Sequence, residues 1–249
     1  MQTNAAQTNA KATIDVRRAD ERFHTDIGWL KSHHSFSFGS HRDPNNTGHG
    51  LLIVSNDDRV AAGGGFGTHP HRDMEIVTWV LSGELEHRDS EGNHGVLHPG
   101  LAQRMSAGTG IQHSEMNASE TEPVHFVQMW VPPDTLGTAP GYEQRDVTAD
   151  LDAGGLVPVA SGRGHDGSIS IGQRGAAMWV ARLSPGDSVT VPNAPFVHVF
   201  VARGRAVLGD TNLEEGDASR LTDAGTVALH APSADAEVIV WESDEHAWR

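Results

Sequence analysis

From Leu51 to Val131, and again from Ala177 to Trp241, short apolar runs alternate with turn-forming clusters about every ten residues, and this rhythm leaves few folds open. Ile76–Leu81 and Phe126–Val131 are rich in β-branched and aromatic residues, as strands are. Turn signals stand at Ser55-Asn56-Asp57-Asp58, Ser82-Gly83, Asp89–Asn93 and His98-Pro99-Gly100. Phe36 and Phe38 alternate with small polar residues, which predicts a further strand over Ser35–Gly39. No segment keeps a helical period, and only Pro132–Arg145 reads equally as helix or strand. The expectation is an all-β sandwich or barrel.

The second half echoes the first. Val80-Leu81-Ser82-Gly83-Glu84-Leu85 is matched by Val201-Ala202-Arg203-Gly204-Arg205-Ala206, after a Gly-, Asp- and Ser-rich stretch suited to a connection. Strand-like runs resume at Ala177–Leu183, Phe196–Val201, Thr226–Leu229 and Glu237–Trp241. The expected division is a disordered tail over 1–13, a first domain over 14–146, a connecting segment over 147–175 and a second domain over 176–249.

Two pairs of residues carry chemistry. His69-Pro70-His71 and His113-Ser114-Glu115 each space two metal-binding side chains by two positions, and on a strand such residues share a face. If the two strands face one interior, three imidazoles and a carboxylate converge. The chain has no cysteine, so His and carboxylate are its only strong metal-binding side chains. Placing Gly204 on Gly83 sets Thr190 and Pro192 opposite His69 and His71, so the second lobe lacks ligands at those positions. His33, His34, His41, His49, His87, His125, His198 and His230 carry no signal tying them to the site.

The net charge of −15 is spread along the chain, and its 16 Arg and 2 Lys form no block that could track phosphates. Direct nucleic-acid binding is therefore disfavoured. No apolar run approaches the ~20 residues of a membrane span, and the polar N-terminal stretch has no signal-peptide pattern. A soluble, cytoplasmic monomer is the expectation.

Gly67-Thr68-His69-Pro70-His71-Arg72-Asp73-Met74-Glu75 and Met105-Ser106-Ala107-Gly108-Thr109-Gly110-Ile111-Gln112-His113-Ser114-Glu115 closely resemble the two metal-site motifs of the pirin family, in the cupin superfamily. The likeness extends back to Trp29–Phe38 and forward to Tyr142–Arg145. It implies a bicupin: two antiparallel β-barrel (jelly-roll) domains, with a mononuclear iron-type site in the N-terminal one alone. The family's ligands fall on His69, His71, His113 and Glu115. In many other cupins the carboxylate follows His-x-His by four residues, which here is Glu75; strand parity allows it, and the pirin pattern favours Glu115. Glu75 and Asp73 would then lie beside the ligands or at the lip, while Phe66, Met105, Met116 and Phe126 are candidates for the pocket wall.

The ligand set suits Fe(II), and also Mn, Co, Ni, Cu or Zn. Bacterial-type pirins resemble quercetin 2,3-dioxygenases, which open a flavonol ring with O2 and release carbon monoxide. By that resemblance Glu115 is the general base and the partners are a small aromatic substrate and O2. The alternative is an iron-binding, redox-responsive co-regulator acting through a protein partner. A third reading is a small-molecule-binding cupin with a structural metal.

Overall fold

The computed structural model describes residues 12–247, so the expected tail lies almost wholly outside the described residues. In chain order the strands of the first half are β1 (Thr13–Arg17), β2 (Phe23–Asp26), β3 (Leu30–His34), β4 (Val54–Val60), β5 (Gly65–His71), β6 (Glu75–Ser82), β7 (Leu85–Asp89), β8 (His94–Leu97), β9 (Leu101–Ser106), β10 (Ile111–Asn117), β11 (Val124–Val131) and β12 (Gly141–Asp146). The short helix α1 (Thr148–Asp152) follows. The second half holds β13 (Val157–Ser161), β14 (Ile169–Ser170), β15 (Ala176–Leu183), β16 (Ser188–Thr190), β17 (Phe196–Leu208), β18 (Thr211–Glu214), β19 (Ala218–Thr222), β20 (Ala228–His230) and β21 (Ala236–Ser243).

Each half makes a large sheet and a small one. In the first, the order β12-β9-β6-β11-β4-β3-β2 faces β5-β10-β7-β8. In the second, β1-β19-β17-β21-β15-β13-β14 is matched by β16, β20 and β18 around the far end of β17, which runs through both sheets. The duplication holds down to the glycines. Gly83 and Gly204 both have positive φ, and both press their backbone against the start of a partner strand, Pro123–Val124 and Asp235–Ala236. No Cβ fits at either place.

The apolar runs are continuous because the large sheets are covered on both faces. In β6, Val77, Trp79 and Leu81 meet Ile239, Trp241 and Phe200 in a core shared between the lobes, while Ile76 and Val80 point the other way into the first barrel. Trp79 donates its indole N–H across the seam to Glu237 at 2.7 Å, and Arg182 donates to the same carboxylate. A cleft of about 510 Å³ opens at this seam. The arginines lining it are engaged, Arg182 by Glu237 and Arg203 by the Leu81 carbonyl.

Four expectations are corrected here. The boundary at residue 14 fails because β1 pairs with β19 of the second lobe, and Ala19 N–H and Arg18 both bond to Asp217. Residues 147–175 are more than a connection: α1 packs Leu151 into the shared core, and β13 and β14 extend the second large sheet. The turn read at Ser55–Asp58 is the buried middle of β4, and the strand expected over Ser35–Gly39 has already ended at His34. Pro132–Arg145 resolves into loop and β12.

Candidate metal centre

His69 and His71 lie on β5 and His113 on β10, and the two strands pair antiparallel with His69 directly opposite His113. Pro70, between the histidines, is tolerated because β5 is the edge of its sheet and needs no N–H there. Gly65 lets the backbones close, since a Cβ would strike Met116 and the Glu115 carbonyl. The ligating nitrogens of the three imidazoles fall within 4.8 Å of one another, with ring centroids 4.4–4.9 Å apart.

Their protonation follows from the surroundings. His69 Nδ1 donates to the Gly67 carbonyl at 2.8 Å, which leaves Nε2 bare. Nε2 of His71 and of His113 are buried with no hydrogen-bond partner. Burial, helped by the neighbouring imidazoles, lowers His71 to about 4 and His113 to about 2. Neutral imidazoles with convergent, unsatisfied lone pairs are what a divalent ion requires. The donor set therefore fits a metal.

Glu115 lines the same cavity but stands outside that cluster of nitrogens. The register between β10 and β5 shifts by one residue here, the extra residue lying on β5 between Phe66 and His69, while β10 stays in unbroken register with β7, so His113 and Glu115 keep a common face. Both its oxygens accept from the Gln128 amide, at 2.8 and 2.9 Å, and Gln128 in turn accepts from Trp130 Nε1 at 3.1 Å. Burial raises Glu115 to about 7, with the Gln128 bond opposing.

The cavity holds about 240 Å³. One wall is aromatic, with Phe38, Phe66 and Trp130; Trp130 meets His71 edge to face at 4.9 Å. The other is polar, with Ser32 opposite Asp58 and His34 opposite Asn56 across β3 and β4. Asp58 Oδ1 has no hydrogen-bond partner, and burial raises this carboxyl to about 7.

Of the remaining candidates, only Phe66 lines the cavity. Met105 is fully buried with Ile76 and Ile111, and Phe126 with Leu30 and Val80. Met116 packs against Gly65. Asp73 sits at positive φ in the turn that separates β5 from β6 and binds Gly137 N–H. That turn ends the strand, so the parity linking residue 71 to 75 is lost. Glu75 accepts instead from Ser106 Oγ and Gly172 N–H, between the lobes. Sequence reasoning missed Gln128, Trp130, Asp58, His34 and His87. A polar residue inside the apolar run Phe126–Val131 was the one signal that marked Gln128.

In the second barrel the equivalent space is filled. Counting from Gly204 as from Gly83 puts Leu208 at the place of His87. The ladder pairs Leu208 with Leu229 just as His87 pairs with Glu115. Leu208 and Leu229 lie in an aliphatic cluster with Val191 and Leu213.

The Pirin profile matches residues 15–131, and the profile described as Quercetinase C-terminal cupin domain matches 158–242. A Mycobacterium tuberculosis protein named "Putative quercetin 2,3-dioxygenase" is 56% identical over 93% of this chain and 95% of its own. Quercetin 2,3-dioxygenase of Escherichia coli is 41% identical over 92% of this chain and 98% of its own. The crystal structure of the E. coli bacterial pirin YhhW in complex with nickel(II) superposes with a TM-score of 0.87 at 38% identity, covering 94% of this chain and all of that one. With both lobes matched and its length spanned by such relatives, the chain belongs to the pirin family and has its bicupin fold.

Proposed function

We propose that the protein is a metal-dependent dioxygenase that opens a flavonol such as quercetin with O2 and releases carbon monoxide. The carrying observation is the convergence of three imidazoles beside a buried carboxyl in a cavity with an aromatic wall. His69, His71, His113 and Glu115 would hold the ion, Fe(II) being our assignment. Bound there, it would supply Lewis acidity toward the substrate's 3-hydroxyl.

Glu115 is suited to take that hydroxyl proton. Its carboxyl is buried in the cavity beside the imidazoles, where desolvation favours the protonated form it would take on accepting that proton. Gln128 fixes its orientation, and Trp130 fixes Gln128 by occupying the amide oxygen. Phe38, Phe66 and Trp130 would stack on the flavonol rings and keep water from the reacting carbons.

The test is oxygen uptake with quercetin after anaerobic reconstitution with Fe(II), Mn(II), Co(II), Ni(II) or Cu(II), on wild type and Glu115→Gln matched for metal content. Loss of the general base should cost Glu115→Gln about 100-fold or more. A protein that binds these metals and consumes no oxygen with any of them refutes the reading and redirects the search to protein partners.

A further inference from the structure

His113 has a partner behind it that the metal reading does not use. Its Nδ1 lies 3.4 Å from Nδ1 of His87, a side chain with no solvent exposure on the neighbouring strand β7. Gln103 Nε2 approaches the same His87 nitrogen, also at 3.4 Å. On its far side, His87 Nε2 meets Asp89 Oδ2 at 3.1 Å, and that carboxylate is equally hidden from solvent. The Tyr142 ring lies against the His87 ring with centroids 4.8 Å apart and holds it in place.

We propose that the His87–Asp89 pair is a positioning relay that fixes His113 in the tautomer whose Nε2 faces the metal site. A carboxylate only accepts, so His87 must carry its hydrogen on Nε2. Neutral His87 then has a bare Nδ1, which accepts from His113 Nδ1–H. His113 is left with a bare Nε2, the buried nitrogen that has no partner in the protein. Fixing a ligand's tautomer through its second nitrogen is a general device of metal sites. Here it runs through a second imidazole. The inference rests on the reading that His113 is a ligand.

Asp89 also supplies an unusually clean switch. Its Oδ1 accepts the backbone N–H groups of Glu91 and Asn93, which close the β7–β8 turn. The Asn93 side-chain amide donates to both oxygens, at 3.2 and 3.0 Å. In Asp89→Asn the two backbone donors keep the amide oxygen at the Oδ1 position, the Asn93 amide turns its own oxygen to the new NH2, and that NH2 faces His87 Nε2. His87 is then forced to carry hydrogen on Nδ1, and His113 Nδ1 becomes the acceptor. The hydrogen on His113 moves to Nε2, where the metal would bind.

The experiment is 15N NMR of the histidines in the metal-free protein near pH 8, with Zn(II) affinity measured by chelator competition on the same samples. The relay predicts Nδ1–H on His113 in wild type, Nε2–H in Asp89→Asn, and Zn(II) binding weakened about 10–100-fold in Asp89→Asn and His87→Leu. His87→Asn, whose carbonyl can stand where Nδ1 stood, should recover part of the loss. An unchanged tautomer and unchanged Zn(II) affinity in Asp89→Asn overturn the relay, as does equal loss in His87→Asn and His87→Leu. His113→Ala serves as the separate control: Zn(II) binding as tight as wild type would remove His113 from the ligand set, while the NMR comparison still reads the relay itself.

Discussion

At the scale of single residues, the metal-free site is poised between opposing electrostatic demands, and Asp58 exposes one of them. Burial, with Asp57 and Glu115 adding repulsion and Ser32 opposing, raises its carboxyl from 3.8 to about 7. A group whose native pKa lies above its unfolded value favours the native state fully below the unfolded value, and that contribution is lost as pH climbs through the native one. Asp58→Asn keeps the shape and removes the ionisation. Calorimetry of the metal-free protein should find the variant level with wild type near pH 4 and increasingly more stable toward pH 8. The Tm difference should grow by on the order of 10 °C. A constant offset across that range would mean that Asp58 does not change charge there. The same residue shows why part of the site escaped the sequence. Asn and Asp favour turns, so Ser55–Asp58 read as one, whereas these polar groups were collected into a strand to line a cavity. His69, His71 and His113 were legible because a spacing of two carries its own geometry. His87 was not, because only the antiparallel register of β7 and β10 brings it to the site.

At the scale of elements, what a strand run predicted well was its existence, since runs covered on both faces are apolar throughout. What failed was continuity across a break. The positive φ of Asp73 marks the turn after β5, so counting by twos from His71 to Glu75 stopped being valid there, whereas it held from His113 to Glu115 along β10. The duplicated glycine gives a quantitative check. Gly204 and Gly154 both have positive φ, yet a Cβ at Gly204 would run into the Asp235 carbonyl, while Gly154 faces open space. Gly204→Ala should cost on the order of 3 kcal/mol and Gly154→Ala about 1, strain alone accounting for the second. Urea unfolding midpoints measure both, and equal losses would show that backbone strain, without the contact, sets the cost.

For the whole molecule, the fold class and the duplication were legible, because the turn rhythm and the repeated Gly83 and Gly204 segments persist through both halves. The boundaries were not, since no local signal says that a strand near residue 15 will pair beyond residue 217. The large sheets bury Val77, Trp79, Met129, Phe200, Ile239 and Trp241 against each other in one core. The lobes should accordingly unfold together. A single calorimetric transition is expected for the full chain, and a fragment of residues 18–146 should aggregate or bind a hydrophobic dye strongly. A soluble, cooperatively folded fragment would show instead that the first lobe is self-sufficient.

The pairing of β1 with β19 also sets a timetable. β1 leaves the ribosome about two hundred residues before its partner. The second lobe cannot finish its large sheet from its own sequence. Its last edge must be closed by a segment made long before β19. Closure of that edge therefore waits on β19, and it ties β1 to the completion of the half whose barrel is filled by aliphatic side chains.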